Sequence, residues 1–420
     1  MAISFKSNLD GSGTVSNEGI SAINVSGTGT VSFPVNSTGT GNIVLSASPT
    51  FSGTITYPDA VSSGISPFHS SYYKRANQLQ GGNTVATGYY TSSATAADRI
   101  TVTIPDTILS INGIVYRNPT AISKLLSTTG NWDNTTYATA ANRVGLDFYV
   151  YACTPISGFV PDYILSHSTT YPTAMPSGGT PSASNTRKVG GFHCECVAVG
   201  TISGHTLTGY LAGDIIPRSV WDLKNRPISA VEGMVYSLTN QWVDIYLPSV
   251  SGSTVVSVNG GAIASGTTAV KFHAYKWDQW FGQQGKKPIA SMEFVVASLG
   301  ANQSTNIAGS ANPTTTGGHT DTAGRRMISN IGCEDMCGVF SQWGREQGAI
   351  AGATSWANAF DANDTGVGGQ HYNEPTRPCF GGIWDSGVVC GSRSVSWDSS
   401  PLILYSGFSS RGVAESASSY

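Results

Sequence analysis

Charge is what this chain has least of: Asp, Glu, Lys and Arg make up 11% of 420 residues, and the net charge is −3. No block of Lys or Arg occurs, so the basic footprint that phosphate-backbone binding needs is missing and nucleic acid is not an expected partner. Long apolar runs are missing too. No stretch approaches the roughly 18 to 20 residues of a bilayer span, so no membrane insertion is expected. The opening residues MAISFKSNLDGSG carry neither a basic start nor an apolar core of about 7 to 15 residues, which predicts synthesis in a cytoplasm without a secretory signal. GxSxG, HExxH, P-loop and paired-carboxylate signatures are absent and the His residues lie far apart, so no catalytic residue and no cofactor are assigned.

Cysteine is sparse and odd in number, with seven residues, which favours reduced thiols over a disulfide framework in a chain of cytoplasmic origin. Cys333 and Cys337 have no second Cys/His pair at zinc spacing. Cys379 and Cys390 flank the FGGIWDSG turn and are read as unbonded. His193-Cys194-Glu195-Cys196 contains ligands zinc prefers, yet after VGGF the segment should be extended, with His193 and Glu195 on one face and Cys194 and Cys196 on the other. Ordinary strand packing is expected there, and no metal. Asp361, Asn363 and Asp364 offer the clustered oxygens calcium takes, but a DxND stretch among glycines is read as a turn.

What the chain has is Gly, Ser and Thr, a composition for short strands joined by turns, in a length that calls for several modules. The expected fold is mainly β with an α+β part. Residues 1–65 repeat small-polar and β-forming alternation (SGTGTVSFPV, STGTGNIVLS, FSGTITYP) and predict a small β-domain that needs trimerisation or docking to complete its core. A polar connector follows over 66–100. A β-sandwich-like middle domain is expected over 101–214, with a hairpin at Asn112-Gly113 and a strand in GLDFYVYAC. Over 215–420 the texture turns α+β. Met292, Val295, Val296 and Leu299 at i, i+3, i+4, i+7 predict a helix with that apolar face, stopped by Gly300.

RKVGGFH (187–193), SVWDLKNRP (219–227), VDIYLPSV (243–250), GKKPIASMEF (285–294), QWGREQG (342–348) and FGGIW with GSR, SW, SP and SRG between 380 and 412 stand in an order and spacing that resemble the phage tropism determinants. These are variable proteins diversified by a retroelement and built on a C-type lectin fold. About two thirds of the chain is covered, and residues 1–100 are not.

The resemblance implies that 215–420 is a C-type lectin-type domain whose last stretch is a fixed scaffold presenting variable, receptor-contacting side chains. The scaffold positions would be Gly381, Gly382, Trp384, Gly391 and Ser392, then Arg393, Trp397, Pro401, Arg411 and Gly412. In this reading Trp fills the core beneath the loops and Arg ties loop carbonyls. The receptor-facing positions would be Ile383, Asp385, Ser386, Gly387, Val389 and Ser396, then Asp398, Ser399, Ile403, Tyr405, Gly407 and Phe408. Ile383, Ile403, Tyr405 and Phe408 would be the apolar anchors.

The resemblance further implies a virion-surface homotrimer on tail fibre, tail tip or capsid. Its partners would be a host cell-surface receptor, protein or glycan, and other virion proteins bound through the N-terminal domain. The alternative is a structural capsid or tail decoration protein with weak surface adherence. The fold is also similar to that of formylglycine-generating enzymes, which hold copper with a close pair of C-terminal cysteines. Cys390 stands alone in that region, so no enzyme is expected.

Overall fold

The computed structural model describes residues 98–223, 225–350, 355–358 and 369–417, with three two-residue strands between 80 and 90. Contacts within the chain divide it at Gly64/Ile65, and everything below concerns the second unit, Ile65–Tyr420. The expected domain over 1–65, most of the connector and the Asp361, Asn363, Asp364 cluster lie outside the described residues.

Asn112 and Gly113 both take positive φ, 49° and 83°, and close the hairpin between Thr107–Ile111 and Ile114–Asn118. Two left-handed residues in succession give the turn the twist of the strands it joins, as the Asn-Gly pair predicted. A four-stranded antiparallel sheet follows, ordered Trp221–Asp222, Thr186–His193, Asp147–Cys153, Asp162–Ser166. It takes in Trp221–Asp222, past the boundary expected at 214.

The strand Asp147–Cys153 is buried on both faces. Phe148, Val150 and Ala152 point into a core with Val102, Ile104, Leu109, Ile111 and Trp132. Tyr149, Tyr151 and Cys153 point the other way, against Trp221 of the same sheet and Met234, Trp242 and Ala414 beyond it. Period-two alternation therefore makes one strand the shared wall of two cores. Each buried Phe, Val or Met contributes roughly 1.5–3 kcal/mol there.

The C-terminal domain is closed by its own end. Gly412–Glu415 pairs with Gln241–Asp244 on one side and Lys287–Pro288 on the other, within a four-stranded sheet completed by Met234–Tyr236. Two helices pack on it. Ala274–Gly282 buries Ala274, Trp277 and Phe281, and His273 caps its start by accepting from the Lys276 amide. Ser291–Ala297 is the helix expected there, and Gly300 takes φ 84° at its stop, but the buried face differs.

Glu293, Phe294 and Ala297 point inward on Ser291–Ala297, while Met292 is 69% exposed and Leu299 also faces solvent. Two partners hold the Glu293 carboxylate in: Arg345, through hydrogen bonds of 2.7 and 2.6 Å, and the Ala290 amide at the helix start, at 2.8 Å. A second sheet holds Gly348–Ile350, Glu374–Gly381, Ser341–Trp343 and Phe408–Ser410, with Gly391–Ser399 along the edge of Glu374–Gly381.

The His193–Cys196 expectation fails in part. The strand ends at His193, and Cys194 bridges to Ile215. Beyond it the backbone bends, so Glu195 and Cys196 do not part to opposite faces. Both reach Glu334. All seven cysteines are free and buried.

Candidate functional surface

Residues 381–412 leave the domain core, turn over its surface and return. Arg411 fixes the return. It is fully buried, and its guanidinium donates to the carbonyls of Asp244 and Ile245 at 2.7 Å each, to the Glu334 carbonyl at 2.7 Å and to Gln342 Oε1 at 2.8 Å. One planar fork thereby ties three chain segments. Asp244 receives Lys286 Nζ at 2.6 Å and the Gly412 amide at 3.2 Å. Burial raises the Asp244 carboxyl, and Lys286 and Arg411 oppose that shift.

The turn after Gly381 is fixed locally. Gly381 takes φ 89°, and a Cβ there would stand 2.5 Å from the Met336 carbonyl, so no larger residue fits. Ile383 N donates to Ser386 Oγ at 3.1 Å, Ser386 N to the Ile383 carbonyl at 3.1 Å, and Cys390 N to the Gly387 carbonyl at 3.1 Å. Asn306 Nδ2 donates to the Trp384 carbonyl, and Ser304 N to the Cys390 carbonyl at 2.8 Å. Trp384 is half-buried and stands edge-on to Phe340, with centroids 5.4 Å apart. Farther along, Ala274 N donates to the Pro401 carbonyl at 2.9 Å.

Of the positions expected to face a receptor, Asp385, Val389, Ser396, Asp398, Ile403 and Tyr405 are exposed. Ile383, Ser386, Gly387, Ser399 and Phe408 are half-buried. Gly407 is buried, which corrects its assignment: a Cβ there would meet the Tyr405 ring at 2.7 Å and Ile383 at 3.0 Å, so it is space beneath the surface. Phe408 is corrected in part. Its ring stands edge-on to Trp343, with centroids 5.0 Å apart, and supports rather than presents.

Among scaffold positions Gly381, Gly391, Pro401, Arg411 and Gly412 are buried, while Gly382, Trp384 and Ser392 are half-buried. Arg393 and Trp397 are corrections. Arg393 is exposed and Trp397 is 45% exposed, because Gly391–Ser399 pairs only with Glu374–Gly381 among the described residues and lies at the rim of the sheet.

Val388 and Leu404, apolar departures from the family pattern, are exposed between assigned positions, and the sequence reading missed exposed Val395 and the exposed pair Trp356 and Tyr372, whose ring centroids are 5.7 Å apart. The signal for the pair was available: aromatics in a segment rich in Gly, Asp and Asn have little core to enter.

The surface is thus Val, Ile, Leu, Tyr and Trp side chains among Ser and Asp, on a rigid base. It is suited to contact and hydrogen bonding, and within it the Ser396 hydroxyl donates to Asp398 Oδ1. Burial pushes the thiol of Cys390, its one cysteine, up to about 11, so the thiol is protonated at neutral pH and is a poor nucleophile.

Comparison with known proteins places this geometry among relatives. Residues 90–222 match the family model of the Mtd second domain. The tail fiber receptor-binding protein of Bordetella phage BPP-1 is 30% identical over 262 residues, which cover 58% of this chain and 66% of that protein. The aligned stretch therefore spans just under two thirds of that relative's length. Among solved structures, the U1 variant of Major Tropism Determinant has TM-score 0.60 and 24% identity, covering 80% of this chain and 86% of its own. The I1 variant has TM-score 0.62 and 22% identity, covering 82% and 87%. At that identity these structures show a shared fold.

Proposed function

This chain is a relative of the phage tropism determinants, with a C-type lectin-type C-terminal domain, and on that premise we propose that it is a virion adhesin binding a host-surface receptor. The observation that carries the reading is the division of labour within 383–405. Asp385, Val389, Ser396, Asp398, Ile403 and Tyr405 face solvent, while Asn306 and Ser386 hold the backbone of the turn at 383–386 and Arg411 anchors the return of the chain to the core. A surface that varies without unfolding its base needs that separation. The mechanism is binding without turnover, and weak single sites on several copies gain strength through effective concentration.

A homotrimer is part of the proposal. Ile114, Val115, Ile156, Phe159 and Val160 of the middle domain are exposed, and the Arg117 amide bonds the Phe159 carbonyl at 2.8 Å, so the hairpin and the loop present one apolar patch for copies to bury. Sedimentation of the full-length protein reads this directly, and a monomer at micromolar concentration contradicts it. Attachment to the virion through the N-terminal residues completes the proposal.

Deleting the gene from the phage tests the reading against structural decoration. The adhesin reading expects particles of normal stability that fail to adsorb. Fragile particles that adsorb normally contradict it.

A further inference from the structure

Where the middle domain meets the C-terminal one, two carboxyl groups are shut away with a single guanidinium. Glu195 is fully buried, and neither of its side-chain oxygens receives a hydrogen bond from an N–H or O–H of the structure. It faces Glu334, also fully buried, which accepts from Arg326 Nη2 at 2.5 Å and from the Gly318 amide at 3.1 Å. The same Arg326 nitrogen stands 3.6 Å from Glu195.

Among the remaining charged and titratable neighbours none donates to Glu195. Cys196 Sγ lies 3.5 Å from Glu334 Oε1, and burial keeps it a neutral thiol. Tyr246 bonds His193 Nε2 at 3.0 Å, and His193 Nδ1 bonds Asp147 at 2.9 Å. Asp335 is paired with His319 at 3.0 Å. On the other side the Asp214 carbonyl accepts the Glu195 amide at 2.7 Å, and the Asp214 carboxyl accepts from Leu211 N at 2.8 Å.

Two carboxylates against one cation leave an uncompensated buried negative charge, which a protein interior does not tolerate. Glu195, Cys196 and Glu334 each place an atom within 4.8 Å of the others, but Arg326 already fills the cationic position among them. A proton resolves the imbalance. A neutral Glu195 becomes a donor, Glu334 offers the acceptor, and Arg326 then balances one charge with one.

We propose that Glu195 is held as a carboxylic acid donating its proton to Glu334, so that the junction of the two domains folds with one bound proton. The consequence reaches the exposed surface, because the Glu334 carbonyl is one of the anchors of Arg411. Ionising Glu195 repels Glu334, competes for Arg326 and loosens that anchor. Burial raises the Glu195 carboxyl well above its ordinary range, with the Glu334 charge adding to it, in agreement with the geometry.

The sign is fixed. The unfolded carboxyl ionises near about 4.3 and the folded one far above, so the stabilisation is full below the unfolded value. It is lost as pH rises toward and through the folded value. Folding at neutral pH therefore takes up a proton, independently of whether the protein is an adhesin.

The test is unfolding of the full-length protein and of Glu195→Gln by urea, from about pH 5 to about pH 9. The wild-type folded-to-unfolded ratio, taken relative to the variant's, is expected to fall about tenfold per pH unit until the folded carboxyl ionises. Parallel pH curves overturn the proposal. A second readout needs only the wild-type protein: an infrared carboxylic C=O band at neutral pH that shifts on isotopic labelling of Glu. Absence of that band overturns the proposal even when the variant does not fold, and so does one equivalent of a divalent metal in protein purified without chelator.

Discussion

Tyr405 stands edge-on to Phe408 with ring centroids 5.1 Å apart, the first exposed and the second half-buried against Trp343. Two neighbouring aromatics of one segment thus have different work. Tyr405→Ala is expected to change stability by less than about 0.5 kcal/mol and to weaken host binding roughly 5- to 30-fold. Phe408→Ala is expected to cost roughly 2 to 3 kcal/mol of stability, lowering binding only through the fold. Urea unfolding beside cell-binding titration separates them, and equal stability losses contradict the division.

Trp384 and Trp397 part in the same way. Trp384→Ala removes a ring packed on Phe340 and is expected to destabilise by about 2 to 4 kcal/mol. Trp397→Ala, at the rim of the sheet, is expected to cost less than about 1 kcal/mol. Thermal unfolding of both variants checks the order, and a larger loss for Trp397 reverses the assignment.

Arg411→Met leaves the carbonyls of Asp244, Ile245 and Glu334 without their buried donor. The expected cost is about 3 to 5 kcal/mol. Limited proteolysis should show cutting in 383–405 before any cut in the middle domain. Wild-type resistance in that segment would mean that Arg411 does not hold it.

His205 gives an acid limb. Burial lowers its imidazole from 6.5 to about 4, outweighing the opposing hydrogen bond to the Ile328 carbonyl. A depressed histidine is neutral when folded while the unfolded chain takes up the proton, so its contribution is present above about 6.5 and is lost as pH falls toward about 4. The loss is on the order of 3 kcal/mol at full effect. Stability against pH for wild type and His205→Gln measures it, and an equal acid limb in both rules it out.

Elements whose signal is local were legible in the sequence. Asn112-Gly113 carries its own turn geometry, and Asp147–Cys153 carries a run of aromatic and β-branched strand formers. The Ser291–Ala297 helix was legible as a helix but not in orientation, because Arg345, which joins the Ala290 amide in holding Glu293 inward, lies on another element. Glu195 and Cys196 defeated the strand rule because the strand stops at His193.

The surface positions came mainly from resemblance: Ile403 and Tyr405 are exposed as that reading expected, whereas Gly407 is buried and Arg393 and Trp397 are exposed. Whether a small residue is displayed or fills space beneath a ring depends on neighbours such as Tyr405 and Ile383, and pattern alone does not supply them.

The most direct test of the central claim is binding of the purified full-length protein to intact candidate host cells, with and without chelator, beside a variant carrying Asp385→Ala, Ile403→Ala and Tyr405→Ala. The account predicts saturable binding by the wild type, unaffected by chelator, and its loss in a variant with unchanged unfolding. Equal binding by both proteins, or none by either to any host that the phage infects, contradicts it.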